Sequence, residues 1–153
     1  ARIYGLCRDN FNADATLGVI VPFRAQIAEV RGAIARSGIT ALRGITIDTV
    51  ERYQGSQRDY IICGLTVGRP WQMRLLTSGT FEEDGQPVDR KLNVALTRAR
   101  LGLVVIGNPR LLAEAPAYRA LMDFARRHGC YVDVTPEEYC SGNFNVTDDT
   151  QLT

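Results

Sequence analysis

The chain has 153 residues, of which 45% are hydrophobic and 23% are charged, and its formal net charge is +1. A chain of this length and composition can bury one sizeable core, so we expect one domain. The near-neutral charge excludes a global field that attracts nucleic acid or a membrane, and any basic site must be a local cluster. No apolar stretch approaches the ~20 residues needed to cross a bilayer, so the sequence predicts no membrane partner.

The cysteines and the lysine exclude two further kinds of site. The four cysteines lack CxxC or Cys/His ligand spacing, which predicts no metal site and a reduced, cytoplasmic setting. A P-loop requires Gly-Lys-Ser/Thr, and the single lysine of the chain, Lys91, stands between Arg90 and Leu92. The chain therefore has no P-loop of its own.

Apolar runs and helical periodicity predict strands that alternate with helices. Residues 1–17 are expected to lead in from a longer chain, residues 18–140 to form the domain, residues 68–87 to be a long connection, and residues 141–153 to be a frayed tail. The predicted strands are "LGVIVPF", "ITIDTV", "YIICGLTV", "GLVVIG" and "CYVDV". The predicted helices are "RAQIAEVRGAIARSG", the segment from Val88 to Ala99, and "PRLLAEAPAYRALMDFARRHG".

This order predicts an α/β fold with a mostly parallel sheet and helices on both faces, because strands with fully apolar interiors are buried on both sides. In such sheets ligands bind beyond the carboxyl ends of the strands. The segments "PFRAQ", "ERYQGSQRD" and "NPR" follow three of the strands, and the first two are rich in Arg and Gln. They are candidates for a binding site, or solvated loops.

The helix predicted from Val88 to Ala99 carries arginines at its end. On a continuing helix Arg98 and Arg100 would be about 200° apart, so at most one of them would contact a ligand. An arginine near a helix end can grip a phosphate or carboxylate in a bidentate manner. The alternative is an ordinary solvated or ion-paired arginine. We also expect a local ion pair or cap between Arg58 and Asp59.

Three segments in this order resemble a known family. The segments "VIVPFRAQI", "TIDTVERYQGSQRDYII" and "NVALTRAR" with "LGLVVIGN" resemble motifs IV, V and VI of superfamily 1 helicases. The chain is similar to the second RecA-like domain of the superfamily 1B group that includes the nonsense-mediated-decay RNA helicase. The similarity covers roughly Gly18 to Val134 and implies a RecA-like fold.

The resemblance implies a shared ATP site. ATP with Mg²⁺ would lie between two RecA-like domains, and the first domain would carry the P-loop and the metal-binding carboxylates. By motif position, Arg98 and Arg24 are the catalytic arginine fingers for the γ-phosphate. Phe23 would stack on adenine, with a core aromatic as its alternative role. The remaining nucleotide-binding candidates are Gln26, Gly55, Arg100, and Gln57, which replaces the usual Glu beside the ribose.

The resemblance also implies contacts with the backbone of single-stranded DNA or RNA. Thr49 and Gln54 belong to motif V, and Ser78 is a candidate in the connection that follows. Trp71 is a candidate base-stacking platform, or it pins that connection to the body of the domain. Backbone-directed binding predicts strong salt dependence and little sequence preference.

The resulting prediction is the C-terminal motor domain of an ATP-dependent helicase or translocase, inactive without the first RecA-like domain of the same chain. The alternative is a non-catalytic nucleic-acid- or protein-binding module with a degenerate helicase fold, which the change to Gln57 favours. A nucleotide-binding enzyme in its own right is disfavoured, because the sequence has neither a P-loop nor a GxGxxG turn.

Overall fold

A computed structural model describes residues 2–53, 55–128 and 130–141 of the chain. The strands in chain order are β1 (Leu17–Val21), β2 (Thr46–Thr49), β3 (Arg58–Leu65), β4 (Thr80–Glu83), β5 (Gln86–Asp89) and β6 (Ala99–Gly107). The α-helices are α1 (Arg2–Leu6), α2 (Arg24–Arg36), α3 (Pro70–Leu76), α4 (Arg90–Leu96), α5 (Pro109–Leu112), α6 (Pro116–Arg127) and α7 (Pro136–Ser141). Short 3₁₀ helices span Arg8–Asn10, Thr40–Gly44 and Val50–Tyr53.

The main sheet is parallel and has the strand order β2-β1-β3-β6. One face packs against α3 to α6 and the Val50–Tyr53 turn, with Ile20 and Ile61 fully buried between them. The other face packs against α1, α2 and the Thr40–Gly44 turn through Val19, Leu42 and Ile47. The predicted α/β architecture, a mostly parallel sheet with helices on both faces, is confirmed and is that of a RecA-like fold.

The helix predicted from Val88 to Ala99 is wrong at both ends. It begins later because Asp89 is its N-cap and accepts a hydrogen bond from the Leu92 amide at 2.9 Å. It ends at Leu96, and the next residues turn into β6, which pairs with β3 from Ala99 onward. Ala99, the last residue of the predicted helix, is therefore the first residue of β6, because its backbone pairs with β3.

The connection predicted over residues 68–87 contains regular structure. It holds α3, which has Pro70 at its first turn and buries Met73 and Leu76, and the antiparallel hairpin of β4 and β5. Asp84 and Gly85 form the two-residue hairpin turn with φ values of 50° and 74°. Two consecutive positive φ angles are those of a type I′ turn, for which Asp-Gly is a strong signal.

Three other segments also differ from the sequence prediction. Residues 130–135, expected as the strand "CYVDV", have no regular structure. The last long helix is divided at Pro116 into α5 and α6, because proline cannot continue a helix. The lead-in contains α1, whose Ile3 and Tyr4 pack against the second core cluster. The tail beyond Ser141 lies outside the described residues.

None of the helices in the described part of the chain has both the length and the hydrophobicity of a membrane-spanning segment. Cys7, Cys63 and Cys130 are free thiols. Among the described residues, no group of three or more His, Cys, Asp or Glu side chains could hold a metal ion.

Candidate nucleotide and nucleic-acid sites

The predicted site residues lie at opposite ends of the parallel sheet. Phe23 and Arg24 follow the carboxyl end of β1, whereas Gln57 and Arg98 precede the amino ends of β3 and β6. The strand registers place these two ends about 20 Å apart at ~3.3 Å per residue. The structure therefore does not bring Arg24 and Arg98 together.

At the amino end, the pairing of β3 with β6 brings motifs V and VI into contact. The Arg58 amide donates to the Arg98 carbonyl at 3.0 Å. The Gln57 Nε2 donates to the Thr97 carbonyl at 3.3 Å. We call the five residues of this region the amino-end cluster: Gln57, Arg58, Asp59, Arg98 and Arg100.

Arg98 is, with Arg58, one of two arginines in this cluster that no carboxylate of the described residues neutralises. Its Nε donates to the Val94 carbonyl at 3.1 Å, and its Nη2 donates to the Thr97 hydroxyl at 2.9 Å. Within the described residues, no Asp or Glu oxygen lies within 4.0 Å of the guanidinium. These contacts orient the half-buried side chain by two neutral acceptors and leave its positive charge available to an incoming anion.

Arg100, by contrast, is neutralised. It lies in β6, its Nη2 is 2.9 Å from the Asp59 carboxylate, and it also donates to the Ala15 carbonyl at 3.3 Å. The predicted pair of Arg58 with Asp59 is therefore wrong. Arg58 instead donates to the Thr46 hydroxyl at 2.9 Å. Its guanidinium carbon also lies 5.8 Å from the centre of a tyrosine ring, that of Tyr53.

The glycine of "QGSQ" has a backbone conformation that other residues rarely adopt. Gly55 has a φ of +81°, and no atom of the described residues lies within 4 Å of where its Cβ would be. This conformation favours glycine, since other residues are strained there, and the contact of Gly55 with a nucleotide stays a prediction. Gln54, predicted to contact nucleic acid, lies outside the described residues.

At the carboxyl end, Phe23 and Gln26 take part in folding the start of α2. The Gln26 Oε1 accepts from the Phe23 amide at 3.3 Å, and its Nε2 donates to the Thr66 carbonyl at 3.4 Å. The Phe23 ring packs against the main core. This packing supports the alternative role of a core aromatic for Phe23.

Beside this turn lies an open groove of about 290 Å³ between α2 and the end of β2. We call it the arginine groove, and its lining residues are Arg24, Ile27, Ala28, Arg31, Asp48 and Arg52. Arg31 and Arg52 were not among the residues predicted for a site. The helical spacing of Arg24, Ala28 and Arg31 was the available signal, whereas the approach of Arg52 depends on the tertiary fold.

The remaining nucleic-acid candidates differ in exposure. Thr49 is only 6% exposed, whereas Trp71 on α3 is 52% exposed. The exposure of Trp71 favours the base-stacking role over the role of holding the connection against the domain. The Ser78 hydroxyl donates to the Leu75 carbonyl at 2.9 Å and lies 3.5 Å from Lys91 Nζ. Lys91 also lies 3.5 Å from Glu51, so it links the helix of motif VI to the turn of motif V.

The pKa of Glu51 reflects these contacts. Partial burial alone would raise it, but hydrogen bonds from its own backbone and from Thr49, and the charge of Lys91, together lower the pKa below its ordinary value. The carboxylate is therefore ionised at neutral pH.

The fold and the amino-end cluster define the class: a RecA-like domain without a P-loop that presents an unpaired arginine at one end of its sheet. Comparison with known families agrees, because the family described as "AAA domain" matches residues 2–110. The chain belongs to this AAA-domain family, and the predicted resemblance to a RecA-like domain of superfamily 1 helicases is confirmed.

Individual relatives have the same character. The chain is 34% identical over 121 residues to a regulator of nonsense transcripts 1 homolog from Arabidopsis thaliana, covering 76% of this chain and 9% of that protein. It is 32% identical over 122 residues to the ATP-dependent helicase NAM7 from Saccharomyces cerevisiae, and the match covers 78% of this chain and 12% of NAM7. It is 30% identical over 126 residues to the probable RNA helicase armi from Drosophila melanogaster, and the match covers 82% of this chain and 10% of that protein. The chain thus spans only about a tenth of the length of these relatives.

Proposed function

We propose that the chain is the C-terminal motor domain of an ATP-dependent helicase or translocase that acts on single-stranded nucleic acid. A first RecA-like domain of the same protein would bind ATP and Mg²⁺, and this chain would complete the site. The placement of Arg98 beside Gln57, with no carboxylate neutralising it, is the observation that supports the proposal most strongly. A cytoplasmic setting remains part of the proposal.

Arg98 is the proposed arginine finger. Phosphoryl transfer places negative charge on the γ-phosphate oxygens, and an oriented guanidinium stabilises that charge. Its two hydrogen bonds to neutral acceptors hold the side chain without cancelling its charge. Arg100 serves the fold through Asp59 instead, so its nucleotide-binding role is not favoured by this geometry.

Gln57 is the proposed partner of Arg98 at the nucleotide. Its Nε2 donates a hydrogen bond to the Thr97 carbonyl, so the amide oxygen is left to accept a hydrogen bond from a ribose hydroxyl. A neutral acceptor binds a hydroxyl more weakly than a carboxylate does. Tight selection of the ribose is therefore not part of the proposal.

The catalytic role predicted for Arg24 is not favoured by this geometry, because Arg24 and Arg98 lie at opposite ends of the sheet, about 20 Å apart, and one γ-phosphate could not contact both. Phe23 stays a prediction as the adenine-stacking residue, since the adenine is at the other end of ATP from the γ-phosphate. In this geometry, Arg98 acts without Arg24 in the amino-end cluster.

The residues present fit a phosphate rather than the metal. Arginine suits bidentate contact with phosphate, while Mg²⁺ prefers oxygen ligands that include carboxylates. The amino-end cluster has one carboxylate, Asp59, and it is engaged by Arg100. We therefore assign Mg²⁺ to the first domain.

The proposal is tested by ATP hydrolysis in the complete natural protein, measured with and without single-stranded RNA and DNA. We expect hydrolysis that a strand stimulates, and no activity from residues 1–153 purified by themselves and shown to be folded by circular dichroism. Metal-dependent hydrolysis by the folded chain alone would contradict the proposed division of the site. A complete protein without stimulated hydrolysis would favour the non-catalytic binding module.

A further inference from the structure

The arginine groove combines three guanidinium groups with two apolar side chains. Arg24 and Arg31 line it from α2, Arg52 lines it from the turn after β2, and Ile27 and Ala28 are its apolar lining residues. It is open to solvent and is not part of the amino-end cluster, which lies at the other end of the sheet. A ligand of the groove would therefore be distinct from the γ-phosphate of ATP.

The charges in the groove are only partly compensated. Asp48 is its one acidic lining residue, and its carboxylate accepts from the Thr49 amide at 2.8 Å and lies 4.0 Å from Arg52. Among the described residues, Arg24 and Arg31 have no side-chain hydrogen bond and no ion pair. Since the whole chain has a net charge of only +1, this is a local concentration of positive charge.

The spacing of the arginines suits an extended anion. Arg24 and Arg31 are seven positions apart on one face of α2, a rise of about 10 Å along the helix. Each strand of duplex DNA carries a phosphate every ~3.4 Å along the axis, and extended single strands have wider spacing, so this length matches two or three successive phosphates. A single free phosphate would contact one end of the row.

We propose that the arginine groove binds the sugar-phosphate backbone of the single strand, with Arg24, Arg31 and Arg52 contacting successive phosphates. Ile27 and Ala28 then pack beneath the sugars. This inference rests on the proposed function, because it names the surface by which the motor domain holds its strand. Asp48 orients Arg52 and keeps the Thr49 backbone in place.

The test measures the salt dependence of strand binding by the complete natural protein. Labelled oligouridylate and oligothymidylate of roughly 12 nucleotides serve as probes in fluorescence anisotropy without ATP. For single strands, each phosphate contact contributes ~0.7 to the slope of log K against log salt. We expect Arg31→Gln and Arg52→Gln each to reduce that slope by ~0.7 and to weaken binding about fivefold at ~0.1 M salt.

Arg36→Gln is the matched control, because Arg36 lies on the same helix, about 140° around from Arg31, and does not line the groove. It removes the same charge and should leave the slope unchanged. If Arg31→Gln and Arg52→Gln behave like Arg36→Gln while the wild-type protein binds the strand, the groove assignment is wrong and the proposed function stands. If the wild-type protein binds no strand, both are wrong.

Competition separates a strand from a small phosphate ligand. We expect an unlabelled oligonucleotide to displace the probe, whereas uridine monophosphate or inorganic phosphate at equal phosphate concentration does not. Displacement by the small anions that is lost in Arg31→Gln would identify a site for a single phosphate group and overturn the proposal.

Discussion

Arg98 and Arg100 show how strongly the partners of a side chain decide its role. The two residues have the same chemistry and stand two positions apart. Arg100 is held by Asp59 at 2.9 Å, while Arg98 is oriented by a carbonyl and a hydroxyl. The prediction that at most one of them would contact a ligand rested on their angular separation around a continuing helix. That argument does not hold, because Arg100 lies in a strand.

The buried thiol of Cys63 is predicted to react slowly with alkylating reagents. Cys63 is 1% exposed in the core, and burial raises the pKa of its thiol to about 12. At pH 8 we expect Cys63 to be alkylated by iodoacetamide at least ~10²-fold more slowly than the exposed Cys130, because only the thiolate reacts. Peptide mapping by mass spectrometry measures both rates in one sample.

The same shift sets the direction of the alkaline pH dependence. An unfolded thiol ionises near pH 9.0, whereas folded Cys63 keeps its proton until about 12. The contribution of this group to stability is therefore complete below about pH 9 and falls as the pH rises towards 12. Native Cys63 alkylation as fast as that of Cys130 would contradict the burial on which both expectations rest.

At the scale of elements, the apolar strands were the most predictable part. β1 and β2 lie within the predicted runs, whereas β3 and β6 extend them at the amino end by two and three residues, to Arg58 and Ala99. Continuous apolar sequence predicted β1 well because all of its residues are buried, but β6 has the same apolar pattern at an exposed edge of the sheet. The hairpin of β4 and β5 was missed although Asp84 and Gly85 carried its signal. All of β4 is exposed and β5 buries only its last residue, Asp89, so neither strand has the apolar alternation that predicts a strand. The strand predicted at residues 130–134 did not form, although its sequence is apolar in part.

The packing of the Val50–Tyr53 turn beneath β1 makes a prediction about Gly18. A Cβ at Gly18 would overlap the Tyr53 hydroxyl, which donates to the Thr46 carbonyl at 3.1 Å. Gly18→Ala must displace this ring, so we expect the free energy of unfolding in urea to fall by roughly 1–3 kcal/mol.

Gly64→Ala is the control for that substitution. Gly64 lies in β3 of the same sheet, but its added Cβ would meet the Val21 side chain at 3.8 Å, an ordinary contact. We expect a change within about 0.5 kcal/mol, as for a tolerated Gly→Ala replacement. Equal losses for the two variants would show that Tyr53 does not pack against Gly18 as described.

At the scale of the whole molecule, the two ends of the sheet divide the candidate residues. Ligands were predicted to bind beyond the carboxyl ends of the strands, and the arginine groove with Arg24 lies at that end of the sheet. Arg98 and Gln57 lie at the amino ends instead, because their motifs precede the strands that they lead into. The segment "ERYQGSQRD" runs from the carboxyl end of β2 to the amino end of β3, so its first and last residues lie at opposite ends of the sheet. Assigning the whole segment to the end of the preceding strand therefore misplaced Gln57.

The proposed function depends most on Arg98, which would complete an ATP site on a neighbouring domain. The most direct measurement is kcat for strand-stimulated ATP hydrolysis by the complete natural protein, with the wild type compared to Arg98→Ala and Arg100→Ala. We predict that Arg98→Ala lowers kcat by ~10³ or more while ATP still binds, and that Arg100→Ala changes it by less than about tenfold. An Arg98→Ala variant with the wild-type rate, or equal losses from both substitutions, would contradict the proposed role of Arg98.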